Sequence, residues 1–122
     1  MIKYQTEIKT NYLLVHVEGE TDNANDMVSY LDGLLAEPAS READRFLLDH
    51  RDLQFQGEHE ESYDVAVWAM ERISRERPMK VALLVRPERM ALARIYETIG
   101  VHAGMKIKVF NKLKMASVWL SS

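Results

Sequence analysis

The stretch Phe46-Leu47-Leu48-Asp49-His50-Arg51-Asp52 runs from three apolar residues straight into two carboxylates, an imidazole and a guanidinium. Asp49 with His50 could move protons as an acid–base pair. His50, His59 and a carboxylate could instead hold a metal ion. The stretch reads as a buried strand that ends in charge, and open α/β sheets bind ligands beyond the carboxyl ends of their strands. Arg86, after the next apolar run, and Glu20 or Asp22, after the preceding one, are expected at the same edge. Asp49, His50, Asp52 and Arg86 therefore form the candidate functional edge.

Two considerations limit that chemistry. Adjacent residues of a strand point to opposite faces, so Asp49 and His50 need not share a site. The spacing of the histidines matches no known ligand pattern, so no catalytic residue and no metal ligand is assigned. There is no Gly-rich phosphate loop and no Gly-x-Ser-x-Gly elbow, and no cofactor is implied. The plainer expectation is a polar loop in which Asp49 or Asp52 pairs with Arg51 or Arg86. His16 shares its side of a strand with Tyr12 and Leu14, as a hydrogen-bonded histidine on a partly covered sheet face would. Met70, Met79, Met90, Met105 and Met115 could line an adaptable apolar pocket, although they also fit ordinary core packing.

The bulk composition sets the frame for these residues. A chain of 122 residues makes one domain, 1–122, with room for one hydrophobic core. Hydrophobic residues make up 47% and charged residues 29%, the balance of a soluble protein. The net charge of −3 supplies no basic field for nucleic acid. The absence of cysteine excludes disulfides, thiolate catalysis and cysteine metal sites. No apolar run approaches the roughly 20 residues of a membrane helix, and no secretory leader is visible, so a cytoplasmic protein is expected.

The elements that must position the candidate residues follow from periodicity. Ile2, Tyr4, Thr6 and Ile8 alternate with polar residues, as an edge strand does. Thr10-Asn11 turns the chain into a second strand, Tyr12 to Val17, which closes an antiparallel hairpin. Met27, Leu31, Leu34 and Leu35 recur at helical spacing, with Thr21 or Asn23 as the cap and Pro38 as the stop. Phe46 to Leu48 is the third strand. A helix starting near Glu58 or Ser62 and reaching about Glu76 buries Val65, Trp68, Ala69 and Ile73. Val81 to Val85 is apolar at every position, which marks a central strand buried on both faces. Pro87 opens a helix with Leu92, Ile95, Tyr96 and Ile99 on its core face and Gly100 at its end. Met105, Ile107 and Val109 form the other edge strand. A last helix places Leu113, Ala116, Trp119 and Leu120 on its core stripe, with Trp119 as a core anchor.

The order is β-β-α-β-α-β-α-β-α. Right-handed crossovers make the last four strands parallel, with the first antiparallel beside the second. That order, together with Ile107-Lys108-Val109-Phe110-Asn111, Ala116 and Val118-Trp119-Leu120, resembles the STAS family, and more closely its SpoIIAA-like, SEC14-related branch. The resemblance covers essentially the whole chain. It implies a five-stranded mixed sheet in sequential strand order, with helices mainly on one face. It also implies a binding or regulatory module and not an enzyme.

STAS antagonists of anti-sigma factors carry a phosphorylatable serine in an Asp-Ser-Ser-Gly-like turn between the third strand and the second helix. The corresponding region, Asp49 to Asp64, has no such motif, and Ser62 is its only serine or threonine. Glu58, Glu60, Glu61 and Asp64 surround Ser62, and would repel a phosphate carrying a charge of about −1.5 to −2. Ser62 is expected to cap a helix or face water, not to serve as a phosphorylation switch.

With helices mainly on one side, the second face of Phe46–Leu48 and Val81–Val85 would be apolar and open. The expectation is a homodimer or another protein partner on that face. The alternatives are a small apolar or lipid ligand held in the SEC14-like manner, or a helix that wraps round to cover the face. An enzyme built on Asp49, His50 and Asp52 is the weaker alternative.

Overall fold

The computed structural model describes residues 1–56 and 59–122, without the side chains of Ala24 and residues 59–62. Five strands carry the fold: β1 (Ile2–Ile8), β2 (Leu13–Thr21), β3 (Arg45–Phe55), β4 (Lys80–Leu84) and β5 (Lys106–Phe110). Between them lie α1 (Ala24–Ala36), α2 (Pro38–Glu42), α3 (His59–Glu76) and α4 (Met90–His102), and α5 (Leu113–Leu120) ends the series. The strands form one sheet in the order β1-β2-β3-β4-β5. β1 is antiparallel to β2, and every later pair is parallel. This is the single α/β domain and mixed sheet that the element order predicts.

Helix ends follow local chemistry. Asn23 Oδ1 accepts the Asp26 amide at 2.9 Å, so Asn23 caps α1, while Thr21 Oγ1 lies 2.6 Å from Asp26 Oδ2. Pro38 stops α1 and at once opens the short α2, a helix the periodicity did not reveal. Gly100 does not end α4. It lies inside that helix, buried, and the chain turns at Gly104, where φ is +88°.

Three helices, α1, α3 and α4, pack on one face over Val15, Val17, Phe46, Leu48, Val81 and Val109. Tyr30, Ala66, Met70 and Ala93 are buried there too, although the helical stripes did not mark them. Ile95, expected on the core face of α4, is 52% exposed.

The second face is closed by α5. Leu47, Ala82 and Leu84 are fully buried against Ala116 and Leu120. Open apolar surface on these central strands, the reason for expecting a homodimer there, is therefore absent. A helix of eight residues suffices because the apolar stretch of β3 and β4 on that face is only three side chains wide. Trp119 is half-buried, not a full core anchor, and Leu113 is 43% exposed. The carboxyl end of α5 is held by cations from the starts of β3 and β4. Arg45 Nη1 donates to the Leu120 carbonyl, and Lys80 Nζ donates to the Trp119 carbonyl at 2.6 Å. Lys80 also stands 4.5 Å above the Trp119 ring.

Candidate functional site

The charged residues of the third strand do not follow its end. β3 runs on to Phe55, because β2 also extends, to Thr21, and pairs with Asp52 to Phe55. The ladder carries a bulge at this point. His16 pairs with Asp49 and Glu18 with Asp52, so β3 uses three steps where β2 uses two. Without the bulge, strict alternation would turn Leu53 outward. With it, Leu53 returns to the helix face at 6% exposure. Arg51 and Asp52 are left beside Asp49 on the second face.

A polar cluster results. Asp49 is 5% exposed and sits between His16 and Arg51. Arg51 donates to both Asp49 oxygens at 2.9 Å, a bidentate pair, and its amide donates to Oδ1 at 3.1 Å. His16 Nδ1 lies 3.5 Å from Asp49 Oδ2, and His16 Nε2 lies 3.4 Å from Asp52 Oδ2. Arg86 reaches in from the end of β4. Its Nε donates to the Arg51 carbonyl at 2.6 Å, and its Nη2 lies 3.6 Å from Asp52. Burial pushes the Asp49 carboxyl up, but the Arg51 hydrogen bonds and charge, with help from His16, hold it below its ordinary value. The Asp49 hydrogen bond raises the Arg51 guanidinium in turn.

Within this arrangement Asp49 is the buried member, held by three hydrogen bonds from Arg51. Asp49 accepts from the groups around it, and the two carboxylates take opposite nitrogens of one imidazole. They therefore do not converge on a point, and among the described residues no three ligating side chains form a metal cage. His16, expected as a hydrogen-bonded histidine on a partly covered sheet face, is the member that joins Asp49 to Asp52. The signal was available: its position on β2 is set by the same alternation that buries Val15 and Val17.

His50 is not in this cluster. It faces the helices, where its Nε2 lies 2.9 Å from the Tyr30 hydroxyl. Burial drives its pKa down to about 4, against the opposing pull of Asp49, and burial likewise raises the Tyr30 phenol. Of the four candidate edge residues, Asp49, Asp52 and Arg86 come together and His50 does not. The side chains of Ser62 and His59 lie outside the described residues.

His50 looks instead into a cavity of about 380 Å³ between the sheet and α1, α3 and α4. Its walls are mainly apolar and include Met27, Phe55, Met70 and Tyr96, with His50 and Arg89 as polar members. Of the methionines singled out in the sequence, Met70 and Met105 line this space, whereas Met115 is 57% exposed. A dry apolar cavity of about 150 Å³ already takes a benzene molecule, and dedicated ligand pockets span about 300–1,000 Å³.

The sequence matches no family model and no curated protein. Solved structures do match. The chain is similar to an anti-sigma factor antagonist from Mycobacterium paratuberculosis at a TM-score of 0.64 and 14% identity, over 100% of this chain and 96% of that one. It is also similar to an uncharacterized DUF3478-family protein with a SpoIIAA-like fold from Shewanella loihica, at a TM-score of 0.55 and 18% identity, over 98% and 93%. The fold is thus SpoIIAA-like. Among the described residues no helix is long and apolar enough to cross a membrane.

Proposed function

We propose that this chain is a non-enzymatic binding module that takes a small apolar or lipid-like ligand between its sheet and helices. The observation that carries this reading is the cavity of about 380 Å³ with its mainly apolar wall. Burying apolar ligand surface returns about 25 cal/mol per Å². A few polar groups suffice to orient such a ligand, and His50 with Arg89 would serve. The Asp49 carboxylate, buried and hydrogen-bonded by Arg51, supports a structural role for that group on the second face.

Titration with an environment-sensitive apolar dye, followed by competition with a medium-chain fatty acid, tests the proposal. Saturable one-to-one dye binding, displaced by the fatty acid, is expected. Ala69→Leu and Ala93→Val, which add bulk to two buried wall positions, should abolish binding without lowering stability. Absence of saturable binding, or binding indifferent to both substitutions, would sink the idea.

A second reading is regulation through a protein partner. The overall shape shared with a protein named as an anti-sigma factor antagonist favours it.

A further inference from the structure

The two edges of the sheet are finished differently. At β5, Glu97 of α4 reaches over and accepts the Val109 amide at 2.7 Å, so part of that edge is occupied from within the chain. At β1 nothing comparable occurs among the described residues. The orientation of β1 can be read from its two ends. Lys9 N donates to Tyr12 O at 2.9 Å, and Met1 N donates to Glu20 O at 2.5 Å. Backbone groups of an antiparallel strand alternate inward and outward. The odd-numbered residues therefore bond to β2, and Ile2, Tyr4, Thr6 and Ile8 present their N–H and C=O groups outward.

Such an edge is a template for another strand, and the side chains along it select one partner. We infer that β1 is a homodimerisation edge, on which a second copy of this chain pairs antiparallel about a two-fold axis at Gln5. In that register Tyr4 stands opposite Thr6 of the second copy, and Ile2 opposite Ile8, in hydrogen-bonded pairs. Lys3 stands opposite Glu7, and Gln5 opposite itself, in the closer non-hydrogen-bonded pairs.

Hydrogen-bond geometry and side-chain pairing together select this register. Hydrogen bonding requires even residues to face even residues, so a shift by a single residue is excluded. Moving the axis to Tyr4 sets Lys3 against Gln5 and loses the ion pair. Moving it to Thr6 sets Lys3 against Lys9. Only the axis at Gln5 matches Lys3 to Glu7 on one face and Ile2 to Ile8 on the other. Ile8 is 79% exposed in the single chain, and Ile2 is partly buried. Lys3 makes no ion pair among the described residues, while Glu7 holds Lys9 at 3.0 Å and has a second oxygen to offer. The product is a ten-stranded sheet with both α1 helices on one side. Its core is one strand pair of seven residues, so the interface is small and the dimer exchanges readily.

Sedimentation velocity of the full chain over a concentration series tests the inference. A reversible monomer–dimer equilibrium is expected. Lys3→Glu and Glu7→Lys should each weaken it by about tenfold, because each sets like charges opposite twice per dimer. Mixing the two variants should restore association, since each then meets its opposite charge. Thr6→Pro removes one outward N–H, leaves the β1–β2 ladder intact, and should abolish the dimer with the far-ultraviolet circular dichroism unchanged. A chain that stays monomeric to near-millimolar concentration overturns the inference. So does a dimer indifferent to Thr6→Pro, or a mixture of the two charge variants that associates no better than either alone. None of these outcomes touches the helix-side cavity, so this inference and the ligand reading fail separately.

Discussion

Asp49 and His50 are neighbours in the chain and serve opposite faces of the sheet. Asp49 Oδ2 lies 3.5 Å from His16 on the second face, and His50 Nε2 lies 2.9 Å from the Tyr30 hydroxyl beneath the helices. One environment holds a carboxylate charged, and the other holds an imidazole neutral. The pleat of β3 therefore separates the two groups that, read as a pair, suggested acid–base chemistry.

The neutral His50 makes stability depend on pH. Its pKa falls from 6.5 to about 4 on folding, so between those values the unfolded chain binds the extra proton. Stability is complete above pH 6.5 and declines as pH falls toward 4. The loss from Asp49 begins lower, below its ordinary value of 3.8. Denaturant midpoints measured across this range should show the first decline in the native chain, and His50→Gln should flatten it. An unchanged pH slope in that variant would contradict the assignment.

Gly100→Ala should destabilise the domain. Inside a helix the change ordinarily gains about 1 kcal/mol. Here an added Cβ would meet Ile107 Cγ2 at 2.6 Å and Met70 Sδ at 3.2 Å, both in the buried core. Overpacking of that kind costs about 1–3 kcal/mol, and should win. Thermal unfolding decides the sign.

The two large residues at the end of α5 should differ. Leu120 is fully buried, and Leu120→Ala should cost about 2–5 kcal/mol. Trp119 keeps part of its ring in water under Lys80, so Trp119→Ala should cost about 2–3 kcal/mol, below the value for a buried tryptophan. Equal costs, or the reverse order, would show that α5 sits differently on the second face.

Ser40→Ala should leave stability unchanged or raise it by up to about 1 kcal/mol. The Ser40 hydroxyl is buried and finds no partner among the described residues, so its removal relieves a desolvation penalty. Arg77 binds the Ser40 carbonyl, which the substitution keeps. A clear loss of stability would reveal a hydrogen bond to that hydroxyl.

Sequence alone determined the succession of strands and longer helices, though not the short α2, together with the parallel core and the edge position of β1. Those features rest on local periodicity: alternation in Ile2 to Ile8, apolar residues throughout Val81 to Val85, and helical spacing in Met27 to Leu35. Only the tertiary structure decided the rest. The bulge opposite Val17 depends on β2 and β3 running on together, and no window of either strand contains both. The side on which α5 packs depends on where the sheet leaves Leu47 and Leu84 uncovered. The cavity is a volume left between α1, α3 and α4, and each helix shows only its own stripe. The separation of Asp49 from His50 was legible as strand geometry. That Asp49 finds Arg51 and His16, while His50 finds Tyr30, required side chains brought together from separate elements.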